Sequence, residues 1–151
     1  MLLFHRIISN FTISLIYIVS IYDFEMYIFG ILNSKMHMAW VKAVAGRLRS
    51  DFRYSSALCY NAFPIPVLSD NQKQKITELA FEILSVRELY PDAKLSSLYK
   101  PEIMPSDLST AHSNLDDYVE SVYSKKVFST DEKRLEVLFR MYSQMTRGQN
   151  A

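Results

Sequence analysis

The sequence predicts an α+β fold, with short strands and one helix at the N-terminal end, then an all-α C-terminal subdomain of three helices. Two patterns predict it. Before residue 66 the apolar runs are rich in β-branched and aromatic residues, as in FTISLIYIVSIY, which suit a pleated, half-buried surface. After Ser69, apolar residues recur at spacings of three and four, the period of a helix with one buried face. A third observation makes a folded core certain to be affordable: 151 residues, 49% of them hydrophobic and 22% charged, with five Pro and three Gly, exclude disorder over most of the chain.

Residues 7–22 form the most apolar stretch and sit behind a start Met, His5 and Arg6. Ser9, Asn10, Thr12, Ser14 and Ser20 interrupt it, and it falls short of the roughly 20 apolar residues that span a bilayer. A buried strand is therefore favoured over a targeting segment or membrane anchor. From Asn33 the spacing turns helical, with Met36, Ala39, Trp40, Ala43 and Val44 on one stripe, Asn33 or Ser34 placed to cap it, and an end near Gly46 to Leu48. Residues 49–66 then read as a loop leading into a short strand that Pro64 and Pro66 close.

Ser69 with Gln72 forms a capping-box signature for a helix that carries Ile76, Leu79, Ala80, Ile83 and Leu84 to about Glu88, and Tyr90-Pro91-Asp92 stops it. Another helix carries Leu108, Ala111, His112, Leu115, Val119 and Val122 on one face. Ser129 with Glu132 opens the last, with Leu135, Leu138, Phe139, Tyr142 and Met145 as its stripe and a frayed tail from Thr146. The domain division this implies is 1–66 and 67–151.

Charge is uneven although the total is only +1. Residues 35–53 carry Lys35, Lys42, Arg47, Arg49 and Arg53 against one acid, Asp51, a local net of +4. Polyanions respond to local charge, so a nucleic-acid contact is sought there first, the competing reading being a solvated face. Catalytic signatures are absent. Gly30, Gly46 and Gly148 are too far apart to cradle a phosphate or dinucleotide. One cysteine and histidines at 5, 37 and 112 give neither a disulfide framework nor a metal-ligand spacing, so the chain reads as cytoplasmic and metal-free. Asp116 and Asp117 are sequential neighbours on a helix and do not converge as a catalytic pair would. His37 reads as a hydrogen-bonded helical histidine, Cys59 as a small core residue, and Trp40 with Met36 and Met38 as packing.

The segment FGILNSKMHMAWVKAVAGRLRSDFRYSSALCYNAFPIP, residues 29–66, resembles the end of the target-recognition domain in MmeI-like DNA methyltransferases, large bacterial restriction-modification enzymes. The blocks YPDAKLSSLYKPEIMPSDLSTAHSNLDDYVESVYSKK and STDEKRLEVLFRMY resemble the helical C-terminal domain of the same family, so the resemblance covers roughly residues 27–145, while residues 1–24 match poorly. It implies a C-terminal fragment of an adenine-specific, S-adenosylmethionine-dependent enzyme, inactive alone. The family's catalytic tetrapeptide, Asn or Asp followed by Pro-Pro and Tyr or Phe, does not occur, and Asn61-Ala62-Phe63-Pro64 has the wrong order. No cofactor is expected in this chain. The implied partners are double-stranded DNA and a methyltransferase domain encoded upstream or separately. A stand-alone binding module and a small membrane-anchored protein are the alternatives.

The resemblance implies base-reading roles for Arg49 and Asp51. Their chemistry fits: Arg offers two parallel donors to guanine N7 and O6, and Asp accepts from cytosine N4, so together they suit one G·C pair. The competing reading is an exposed salt bridge worth at most about 1 kcal/mol. Lys42, Arg47 and Arg53 would contact phosphates, while Tyr54, Ser55 and Asn61 would touch the DNA backbone or hold the loop.

Overall fold

The computed structural model describes residues 25–48 and 51–148. Helix α1, Met26–Leu32, buries Phe29, Gly30, Ile31 and Leu32. Asn33 ends it, its side-chain Nδ2 donating to the Phe29 carbonyl at 2.8 Å. Helix α2, Lys35–Val44, follows at once and buries every residue from Met36 to Val41. Gly46–Leu48 (β1) and Asp51–Arg53 (β2) then pair antiparallel, Gly46 opposite Arg53 and Leu48 opposite Asp51.

Three long helices follow. Helix α3, Asp70–Glu88, starts with the expected capping box: the Gln72 amide donates to Ser69 Oγ at 3.3 Å and the Ser69 amide to Gln72 Oε1 at 2.9 Å. A four-residue turn, Leu95–Leu98 (α4), leads to α5, Ser106–Tyr123, and then α6, Asp131–Gly148. Helices α1 and α5 pack on α3, and α2 lies against both α5 and α6. The approach of α1 to α3 depends on Gly30. A Cβ built there would lie 2.6 Å from Ile76 Cγ2 and 3.2 Å from the Ile76 carbonyl oxygen. One hydrophobic core thus runs from Phe29 and Trp40 through Ile76, Ile83, Leu108 and Leu115 to Leu138.

The α+β expectation is corrected: the described residues are helical, and strand is confined to one hairpin of three-residue arms. The strand expected before Pro64 is instead a π-helical turn, Ser56–Asn61. Cys59 and Phe63 are buried while Leu58 and Tyr60 are exposed, so the segment buries every fourth residue and the apparent alternation misleads. The strand expected in residues 7–22, like the alternative membrane anchor, lies outside the described residues. Among the described residues no helix is long and apolar enough to cross a membrane.

Smaller corrections concern α2 and α6. Gly46 to Leu48 is strand rather than the end of α2. Thr130 rather than Ser129 caps α6, accepting from the Lys133 amide at 3.4 Å. The helix also continues through Thr146, whose hydroxyl donates to the Tyr142 carbonyl at 3.1 Å. Of its expected stripe, Leu138 is fully buried, whereas Phe139 and Met145 are exposed.

Candidate nucleic-acid interface

The basic segment, residues 35–53, occupies α2 and the hairpin and leads toward the π-helical turn. Trp40 anchors it. Its ring centroid lies 5.3 Å from Phe139, 5.6 Å from Tyr142 and 6.2 Å from Phe63, and Nε1 donates to the Leu58 carbonyl at 3.0 Å. This tryptophan packs α2 against α6 and holds the π-helical turn, so it offers no free face for a base. Cys59 is likewise a buried core residue, its thiol pushed up by burial.

His37 is fully buried one turn earlier. Its Nε2 lies 3.3 Å from Tyr54 Oη, and its ring meets Phe63 edge-on at 4.6 Å. Burial holds the imidazole down to about 3, so it is neutral at physiological pH, a structural histidine that ties α2 to the strand exit. Burial also pushes the Tyr54 phenol well above its ordinary value. Of the two roles left open for Tyr54, holding the loop is the one this geometry displays. Ser55 is half-buried, and its carbonyl accepts from the Cys59 amide at 2.7 Å, at the start of the π-helical turn. Asn61 closes that turn and is exposed.

Among the cations, Arg53 is exposed at the end of β2. The Lys42 ammonium meets Asp131 of α6 at 2.8 Å in an exposed ion pair. Arg47 sits in β1 opposite Phe52, and Asp51 faces Leu48 as the last pair before the connection between strands. Arg49 belongs to that connection and lies outside the described residues. The hairpin thus brings the sequence neighbourhoods of Arg47, Asp51 and Arg53 onto one short ribbon.

The sequence reading missed how strongly the later helices hold this segment. Asp116 of α5 accepts from the Lys35 amide at 2.7 Å, and its other oxygen lies 3.4 Å from the Lys35 ammonium. Glu120 and Arg134, each with a side chain about 10% exposed, join α5 to α6 through a bridge of 2.6 Å. Farther away, Tyr99 Oη receives Arg87 and lies 2.7 Å from His112 Nε2. Burial and the Arg87 charge hold His112 down to about 3. A signal for Asp116 existed: it falls between Leu115 and Val119, beside the buried stripe.

Among the described residues no group of three His, Cys, Asp or Glu side chains is placed to hold a metal ion.

Two family models match the chain and together take in most of it. Residues 67–149 match the model described as MmeI, C-terminal domain, and residues 5–67 that described as MmeI, target recognition domain. The chain therefore belongs to the MmeI family and carries the target-recognition and C-terminal domains of an MmeI-type DNA methyltransferase. DNA methyltransferase A of Bacillus subtilis (strain 168) is 54% identical over 140 residues, which are 93% of this chain and 15% of that relative. A solved structure of the Type IIL restriction-modification enzyme MmeI in complex with DNA superposes with a TM-score of 0.78 at 45% identity, covering 82% of this chain and 17% of the other. The chain thus spans under a fifth of the length of each.

Proposed function

We propose that this chain supplies sequence-specific recognition of duplex DNA to an adenine-specific, S-adenosylmethionine-dependent methyltransferase of a restriction-modification system, with methyl transfer carried by a separate catalytic domain. The observation that carries the reading is the coincidence of the +4 segment, residues 35–53, with the hairpin and with the target-recognition match. A two-stranded ribbon is narrow enough for the major groove, where each base pair presents a distinct donor and acceptor pattern. Arg49 and Asp51, at and beside the connection between strands, are the base-reading residues. Arg47, Arg53 and Lys42 neutralise phosphates. The exposed Lys42–Asp131 pair is worth at most about 1 kcal/mol, so a phosphate can compete for the ammonium. Tyr54 and Ser55 hold the strand exit. Acting on DNA, the chain works in the cytoplasm, and the cofactor belongs to the catalytic domain.

The test is duplex binding by the purified chain at two salt concentrations, beside an Arg49→Ala, Asp51→Ala double variant. Salt-sensitive binding whose sequence preference disappears in the double variant is expected, with about 1 to 3 kcal/mol of discrimination lost. Equal preference in both proteins refutes the base-reading assignment. Absence of binding by a folded chain refutes autonomous recognition.

A further inference from the structure

Helix α2 starts without a cap of its own. Ser34 has the extended backbone of an N-cap, but its hydroxyl donates backwards to the Ile31 carbonyl at 2.6 Å. We propose that Asp116, reaching across from α5, is a positioning residue for DNA recognition: it caps α2 in place of Ser34 and so fixes the helix from which the basic hairpin departs. The inference rests on the recognition reading above and deepens it.

The geometry is that of a tertiary cap. One Asp116 oxygen accepts from the Lys35 amide at 2.7 Å, and a carboxylate at a helix N-terminus also complements the dipole. The side chain is only 10% exposed, whereas its neighbour Asp117 faces solvent. Burying a carboxylate is costly unless it is paired. Burial accordingly pushes Asp116 up to about 6 despite the opposing pull of Lys35. Also near it are Glu120 on its own helix and, around a cavity of about 320 Å³, Asn33, Tyr99, Ser109, His112 and Ser113.

Farther along α2 the helix is fastened too, by Trp40 between Phe139 and Tyr142. Ten residues of helix span about 15 Å, so a tilt of about 10° pivoting on one end displaces the other by about 2.6 Å. Base-edge hydrogen bonds do not tolerate that displacement. Only Ala45 separates α2 from β1, so the direction of the helix sets where the hairpin starts.

The experiment selects bound sequences from a randomised duplex DNA library with the full 151-residue chain, comparing wild type, Asp116→Asn, Asp116→Ala and Lys35→Pro. Asparagine keeps an oxygen that accepts from Lys35. Proline at the first helical position removes the donor, and Ser34 already has the extended backbone that a following proline requires. Asp116→Asn is expected to enrich the same sequences as wild type. Asp116→Ala and Lys35→Pro, folded by circular dichroism, retain salt-sensitive binding but lose sequence enrichment by about tenfold or more, a separation that a purely stabilising residue would not produce. Wild-type preference in either folded variant overturns the inference and leaves the recognition reading intact. Unfolding of both, with Asp116→Asn folded, makes Asp116 a stability residue and also overturns it. Wild type that binds no DNA overturns both readings.

Discussion

Replacing Gly30 by alanine sets two effects of known size against each other. Alanine in a helix interior is favoured over glycine by about 1 kcal/mol, which alone predicts a more stable protein. The added methyl, however, would stand 2.6 Å from Ile76 Cγ2, 3.2 Å from the Ile76 carbonyl oxygen and 3.4 Å from Ala80 Cβ. Ile76 is fully buried and branched at Cβ, so its γ-methyl cannot swing aside without a rotamer change, and the carbonyl belongs to the α3 backbone. Overpacking of this kind costs about 1 to 3 kcal/mol, and the present contact belongs at the upper end because two of its three partners are backbone or Cβ atoms. The net expectation is a loss of about 1 to 2 kcal/mol in denaturant unfolding at constant m-value. A double-mutant cycle sharpens the test. Ile76→Ala removes Cγ2 and on its own costs about 2 to 5 kcal/mol. The Gly30→Ala, Ile76→Ala protein should then be more stable than the sum of the single losses, because the new methyl enters the vacated space. A Gly30→Ala protein more stable than wild type, or strict additivity in the cycle, would refute the close-approach argument.

Three further outcomes follow from the described contacts. The Asp116 carboxyl stands at about 6 in the folded chain against an ordinary 3.8, so its contribution to stability is complete below pH 4 and is lost as pH rises through about 6, by about 3 kcal/mol. Unfolding of wild type and Asp116→Asn at pH 4 and pH 7 should show their stability difference changing by about that amount; a constant difference contradicts it. Arg134→Ala leaves Glu120 buried without its partner and should cost about 3 to 5 kcal/mol, whereas the Arg134→Met, Glu120→Leu pair recovers most of the loss; equal losses in guanidinium melts would count against this. Trp40→Ala should cost about 3 to 5 kcal/mol, and because Trp40 is the sole tryptophan and 2% exposed, native fluorescence should be blue-shifted and move red on unfolding.

Local signals were legible where one face of one helix decided the matter. The Ser69–Gln72 capping box, the Ile76 to Ile83 stripe and the stop before Pro91 all lie in α3, which packs as its periodicity requires. Helix α6 was harder. Its apolar residues cover more than one face, and Trp40 of α2 takes Phe139 and Tyr142 at the edge of the core rather than inside it. The π-helical turn escaped because its period of four resembles alternation in a segment as short as SALCYN. At the candidate site, local charge singled out the hairpin, whose partners are close in sequence. Asp116 and Asp131 escaped because each is more than 80 residues from the lysine it meets, and no periodicity reports a cap supplied by another helix.

The two family matches meet at residue 67, yet the core passes straight through that junction, with Phe29 and Trp40 on one side and Ile76, Leu115 and Leu138 on the other. Val67 itself is fully exposed. A peptide bond cut there would sever the chain at a point that bears no packing, while leaving each piece with a naked apolar surface that only the other can cover. The two halves, expressed as separate polypeptides, should therefore be insoluble apart and reconstitute one cooperative unit together. For this chain the seam between inherited domains is not a seam between folding units.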